Sequence, residues 1–422
     1  MKSLFSFRLT RAEKNWVLYD VGNSAFILLV STIIPIYFDY LAELGGLSSV
    51  DYLSFWGYAA SISTLIVALI GPVAGTLADY RNFKKPVFVV SLAVGCIGCL
   101  MLGLAQQWLA FLIIFVIAKV GYSTSLIFYD SMLGDITTPD RMDNVSSHGY
   151  AWGYIGSCVP FIICLAVVLT TGQTGLSMST AMLIAFAIVA LWWAGNSVPL
   201  LRIYQQKHWV ERKPGSASNS FKRLGRTLLG LRKEKHILLF LIAFFFYIDG
   251  VYTIIEMATA YGSALGLDST GILLALLVTQ FVAFPCSIIF GRLSQKFASD
   301  KLITVCILAY FGIAVFAIFM SRQLHFWILA VAVGMFQGGV QALSRSWFAK
   351  IVPAEKSGEY FGLMDICGKG ASFFGTGLVS IISSATGDIN LGVGMIAILF
   401  IVGLVVFRVA VTYTPGVGNK QK

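Results

Sequence analysis

The chain has 422 residues, of which 57% are hydrophobic and 12% charged, and 30 Lys and Arg against 20 Asp and Glu give it a net charge of +10. A soluble globular chain carries roughly twice that share of charge, so a soluble domain is excluded. The basic excess sits in alternate polar loops and comes with no base-stacking or groove-reading motif, which argues against a nucleic-acid partner.

Apolar runs of about 20 residues, enough to cross a bilayer, recur from end to end, so the chain reads as an all-α polytopic membrane protein. Residues 1–14 are polar and basic and the first apolar run is a full span, so no cleavable signal peptide is expected. Twelve spans are predicted. The first six lie near 15–40, 52–78, 86–105, 108–132, 148–170 and 176–198, and the second six near 236–261, 268–292, 301–320, 325–348, 358–384 and 391–412. This divides the chain into a six-helix bundle over 1–198, a basic linker over 199–235 and a second six-helix bundle over 236–422. Pro214-Gly215-Ser216-Ala217-Ser218 marks the linker, and the stretch from Phe221 to Lys235 suits an amphipathic helix lying on anionic lipid. Of the 30 Lys and Arg residues, only Arg322, Lys119 and Lys369 stand away from the loops and helix ends on the side of the N terminus. The positive-inside rule therefore places both termini and the linker in the cytoplasm, in a membrane expected to be the bacterial plasma membrane.

An ionisable side chain within a span costs on the order of a few kcal/mol unless it faces a cavity or a partner, so each is a candidate site residue. In the first span Asp20 and Asn23 share one face near the cytoplasmic end, where Asp20 suits a cap or gate as well as a binding role. Between the second and third spans runs Gly75-Thr76-Leu77-Ala78-Asp79-Tyr80-Arg81-Asn82-Phe83-Lys84-Lys85, and Gly291 to Lys301 repeats it weakly 216 residues on. Gly75 lets two helices approach closely, and Asp79 at a helix end can meet a neighbouring helix terminus or a basic side chain. Arg81, Lys84 and Lys85 are expected to hold the loop at the lipid surface. Lys119 stands at mid-span in the fourth span with no acid at helical spacing, so it calls for a partner elsewhere or a water-filled cavity.

In the second half, the seventh span carries Tyr247-Ile248-Asp249-Gly250 where the first carries Tyr19-Asp20-Val21-Gly22. Asp249 lies near mid-membrane, where a carboxylate can exchange a proton, neutralise a cationic solute group or sit in a permanent ion pair. Glu256, two turns on along the same face, suits an outer gate. On the tenth span Gln337, Gln341 and Arg345 form one stripe beside Gly334, Gly338 and Gly339; the glutamines suit a polar solute and the glycines close packing. Arg345 suits a gate or interdomain pair, and Asp130, near the same end of the fourth span, is its candidate partner. Asp365 and Lys369 are four apart on the eleventh span, a spacing that serves an intrahelical ion pair or a zwitterion site equally. Tyr122, Tyr150, Trp152 and Tyr154 cluster near these polar groups, although packing explains each one alone. The seven cysteines all fall in apolar runs and read as buried thiols, including the Cys96–Cys99 pair. With His148, His208, His236 and His325 at loops or span ends and no phosphate-binding Gly-rich loop, neither an enzyme, a metal nor a cofactor is expected.

The loop from Gly75 to Lys85 resembles the signature loop of the major facilitator superfamily. The runs Trp16 to Phe26 with Pro35 to Phe38, Tyr247 to Val251, Phe336 to Ser346, and Phe361 to Asp365 with Gly368-Lys369 together resemble one family within it. That family includes the fungal vacuolar amino-acid effluxers linked to autophagy and many uncharacterised bacterial relatives. The resemblance implies two pseudo-symmetric six-helix bundles with a substrate site near the midplane between them. It also implies a carrier that alternates access, monomeric by default. The expected function is secondary active transport of a small polar or zwitterionic solute, an amino acid or similar, with protons as the coupling ion. The alternative is a carrier of amphiphilic lipid-like or drug-like molecules.

Overall fold

A computed structural model describes residues 7–211, 225, 227 and 229–414, with backbone alone at 49, 50, 53, 259, 260, 263, 264, 269, 270, 273, 369–373 and 389. Twelve helical spans run through these residues. The first six are α1 (Arg11–Leu44, broken by a turn at Ser31-Thr32), α2 (Ser49–Ala78), α3 (Lys84–Leu102), α4 (Trp108–Ser131), α5 (Met142–Leu169) and α6 (Met178–Ile203). The second six are α7 (Lys235–Ala264), α8 (Ser269–Leu293), α9 (Ser299–Ala317), α10 (Gln323–Ile351), α11 (Ser357–Thr386) and α12 (Asn390–Thr412). Eleven of the twelve are long and apolar enough to cross a membrane by composition. The other, α11, has the length at 30 residues but carries Glu359, Asp365 and Lys369 in its first half. Among the described residues no strand is named; one isolated bridge joins Tyr80 to Val210.

The helix ends follow local chemistry. Thr10 and Glu13 close a capping box at the start of α1. Ser48, Ser177 and Asp268 accept from the third backbone N–H beyond them and so start α2, α6 and α8. Gly387, at φ +69°, ends α11 in the left-handed region that glycine adopts without strain. Two predicted boundaries shift. Helix α5 begins at Met142, six residues before the predicted start, and α6 runs five residues past 198, so the linker leaves the bundle at Tyr204. Of the expected amphipathic helix, Gly225, Thr227, Leu229 and Gly230 are helical and residues 231–233 form a turn; 212–224, 226 and 228 lie outside the described residues.

The two halves repeat one packing plan. Helix α1 packs on α5 and α6, α4 on α2 and α3, and α3 on α6; α7 packs on α11 and α12, α10 on α8 and α9, and α9 on α12. Individual bonds repeat too. Tyr19 and Ser125 join α1 to α4 through their hydroxyls at 2.6 Å, and Tyr247 and Ser344 join α7 to α10 at 2.7 Å. Gly22 lets α1 close on Trp193 and Asn196 of α6, and Gly250 lets α7 close on Phe400 of α12. Between the halves, α2 and α4 pack on α11, and α8 and α10 pack on α5. The end of the bundle that carries residue 7, Tyr204 and the close of α12 is termed the terminal side.

Candidate functional site

Helices α2 and α11 cross backbone to backbone. A Cβ on Gly75 would collide with the Gly358 carbonyl, and one on Gly362 would come within 2.7 Å of Pro72 Cα. Only small residues permit this approach. The crossing brings Asp79, at the end of α2, over the start of α11, where its two oxygens accept the backbone N–H groups of Gly358 at 2.7 Å and Glu359 at 3.0 Å. These are orphan donors of a helix N terminus, so a carboxylate from the other half caps α11 and meets the positive end of its dipole. The expected role of Asp79 at a helix terminus therefore matches its geometry. Lys84 corrects the expectation for the basic residues. Instead of lying at the lipid surface it is 1% exposed, and its Nζ donates to Ser357 Oγ at 2.8 Å and Ser131 O at 3.3 Å and lies 3.5 Å from Asp135 Oδ2. The first turn of α3 packs against the linker and α4, which encloses the lysine. Arg81 and Lys85 are exposed, with the Arg81 guanidinium over the Trp209 ring at 5.2 Å.

The mirror crossing joins α5 to α8 and α10. Gly291 stands against Ser147 and Asn144 of α5, and Gly338 and Gly339 stand against Ser287 and Phe290 of α8. Here the carboxylate is Asp143 on α5. It accepts from Ser299 Oγ at 2.7 Å and Ser346 Oγ at 2.5 Å and pairs with Lys350 at 2.7 Å. Between the two crossings lies Arg345 of α10, 3% exposed, reaching into the first half. It donates to Asp130 Oδ1 at 3.0 Å, to Asp20 Oδ2 at 3.3 Å and to both oxygens of Ser146 at 2.9 and 3.0 Å. Its guanidinium also lies 4.3 Å from the Tyr150 ring centre and 4.7 Å from that of Trp16. Tyr129 donates to Asp20 Oδ2 at 2.8 Å, and Asn23 lies within 3.4 Å of Asp20 Oδ1. The pairing of Asp130 with Arg345, expected from their place at the same end of their spans, is thus present, and Asp20 shares it.

Asp249 behaves differently from Asp20. The matched bonds of Tyr19 with Tyr247 and the matched packing of Gly22 with Gly250 fix the register of α1 against α7. In that register Asp249 stands one residue later than Asp20, so its side chain points about 100° further round the helix. It is 0% exposed and turns to α11, where Oδ1 accepts the backbone N–H of Gly375 at 3.0 Å and the Thr253 hydroxyl at 3.2 Å. Its Oδ2 has no hydrogen-bond partner among the described residues. Toward the middle of the molecule, Tyr154 donates across the halves to Gln341 Oε1 at 3.4 Å. Tyr122, Tyr252, Asp130 and Asp365 lie within electrostatic reach of one another there. Lys119 is half-buried, 5.7 Å from the Phe115 ring centre, and Glu256 is exposed. The side chain of Lys369 lies outside the described residues. Gln337 parts from Gln341: it lines a cavity inside the second bundle. Trp152 turns outward, 44% exposed and edge-on to Phe284.

Several residues escaped the sequence reading. Asp143 looked like a loop residue until α5 proved to start at Met142. The duplication held a signal for it, because Glu359 lies 216 residues on, the offset of Gly75 and Gly291. Glu13 binds Arg141 at 2.7 Å. Asp135 gathers the linker start, accepting from Lys207 N at 3.0 Å, His208 N at 3.1 Å and Tyr204 Oη at 2.6 Å. Burial first, and then the Asp135 charge, hold the Tyr204 hydroxyl protonated far above the ordinary tyrosine range.

A family model described as "Vacuole effluxer Atg22 like" matches residues 10–417. The chain is 41% identical over 404 residues to the "Uncharacterized MFS-type transporter YxiO" of Bacillus subtilis (strain 168), covering 94% of each chain. It is 26% identical over 292 residues to "Autophagy-related protein 22-1" of Aspergillus niger, an alignment that covers 62% of this chain and 46% of that one. Among solved structures, the major facilitator transporter FucP in its outward conformation superposes with a TM-score of 0.72 at 15% identity, over 95% of this chain and 97% of that chain. That likeness bears on fold alone and agrees with the twelve helices and their repeat. The chain therefore belongs to the Atg22-like family of major facilitator superfamily transporters.

Proposed function

We propose that this transporter moves a small polar or zwitterionic solute, an amino acid or similar, by alternating access with protons as coupling ion. In this reading it works as a monomer in the bacterial plasma membrane, with both termini and the 199–235 linker in the cytoplasm. The bundles 1–198 and 236–422 rock against each other. The observation that carries the reading is that the described bonds between the halves are polar, separable and gathered from the level of Tyr154 and Gln341 to the terminal side. With that side cytoplasmic, the arrangement is the outward-facing one, and Asp79, Asp143 and Arg345 are the latch that inward opening must break. Groups of both signs on α4 and α11 (Asp130, Lys119 and Asp365) suit a solute carrying both signs, and the word "effluxer" in the family description supports an exported one. Asp249 supports proton coupling because it is buried, has one oxygen without a hydrogen bond among the described residues and touches a backbone amide of α11.

The test is uptake into proteoliposomes from a panel of amino acids, dipeptides, sugars and nucleosides under an imposed pH gradient. Wild type is expected to accumulate a zwitterion. Asp249→Asn is expected to lose gradient-driven accumulation while still exchanging pre-loaded solute. Uphill accumulation by Asp249→Asn at the wild-type level would sink the coupling role. The apolar cavity inside the second bundle favours the other reading, an amphiphile carrier. Binding confined to lysolipids in a thermal-shift panel would put that reading first.

A further inference from the structure

The second bundle holds a partly open cavity of about 90 Å³ between α7, α8, α9, α10 and α12. Its walls are mainly apolar, with Met257, Leu276, Met320, Phe326, Ala330 and Val333 among the lining residues. One corner is polar. There Gln337 is 3% exposed and its Nε2 has no hydrogen-bond partner among the described residues. Thr253, whose hydroxyl donates to Asp249, also lines the cavity, as do Thr279 and Gln280. A buried amide donor without an acceptor is costly. Water suits the corner but not the body of the cavity, because a water needs two to four polar partners and apolar cavities of comparable size stay dry and take up apolar molecules.

We infer that this cavity is a second ligand site, distinct from the transport cleft, for an uncharged molecule with an apolar body and one hydrogen-bond acceptor that meets Gln337. The acceptor completes the Gln337 amide, and the body fills the space beside Ala330 and Val333. Thr253 in the cavity wall links the site to Asp249 through one hydrogen bond. Gln337 then serves this site rather than the polar solute, even though it shares a stripe of α10 with Gln341.

The probes are 4-fluoroacetophenone and its near-isostere 1-ethyl-4-fluorobenzene, which lacks the carbonyl, titrated by fluorine NMR into the full-length protein in lipid nanodiscs. Wild type is expected to bind both saturably, the ketone roughly threefold to tenfold more tightly, the usual net gain of one neutral hydrogen bond. Gln337→Leu is expected to erase that preference while keeping hydrocarbon binding. Val333→Phe and, separately, Ala330→Phe fill the space and are expected to remove saturable binding of both probes. Failure of either filled variant to fold leaves the probe pair on wild type and Gln337→Leu as the decisive comparison. Only unsaturable partitioning in wild type, or saturable binding unchanged in a folded filled variant, overturns the site. A ketone preference that survives Gln337→Leu overturns the role of Gln337.

Discussion

The two crossings between the halves share one geometry and differ in where the charge sits. At the α2–α11 crossing the carboxylate belongs to the loop residue Asp79 and caps a helix of the opposite half. At the α5–α8 crossing the matching loop position is Gln295, and the carboxylate that makes the contacts is Asp143 on the crossed helix, which gathers Ser299, Ser346 and Lys350. Duplicated folds conserve the close approach because backbone geometry demands it, whereas the polar latch can be built from either partner. The consequences differ as well. Gly358 and Glu359 offer backbone donors deep in the interface, whereas the Lys350 side chain keeps 12% exposure and can return to water.

The largest effect is expected from Asp79→Ala, which strands two buried backbone donors and removes a charge from a helix N terminus, about 2–4 kcal/mol against the closed terminal side. In a background with the seven native cysteines replaced, a cysteine at the buried position Ala342 should label many times faster in this variant; unchanged labelling would remove Asp79 from the latch. Next come the glycines. Gly75→Ala drives a methyl into the Gly358 backbone and should cost about 1–3 kcal/mol, while Gly291→Ala meets mainly the Ser147 side chain and should cost less than about 1 kcal/mol. Melting temperatures of the two purified variants read the difference, and equal losses would mean that the crossings are as rigid as each other. Among the latch carboxylates the smaller effect is expected from Asp143→Ala, about 1–2 kcal/mol, because Lys350 regains solvent. Labelling at Ala342 equal to that in Asp79→Ala would break the comparison.

Much of this was legible in the residues themselves. Span positions, the close approach at Gly75 and the helix-terminus role of Asp79 follow from hydropathy and local spacing, and the shared membrane end of Asp130 and Arg345 made them candidates for a pair that the tertiary structure then formed. Asp20 and Asp249 show the limit. Their motifs look like copies, yet a one-residue offset on a helix sends the two carboxylates to different neighbours, which becomes visible only once the tyrosine–serine pairs fix the register. Lys84 failed for a related reason. A loop lysine reads as solvated unless the element that covers it is known, and here α11 brings Ser357 while the linker gathers on the same Asp135.

What the sequence by itself determined was the membrane class, the number of spans and the duplicated plan. A bilayer forces every span to satisfy its own backbone, so local composition suffices to find it. The tertiary structure alone decided which buried charges meet, which half each latch draws on, and that Gln337 and Gln341 serve different spaces. Those are long-range pairings, separated by up to 325 residues for Asp20 and Arg345, and one residue of helical register changes them completely.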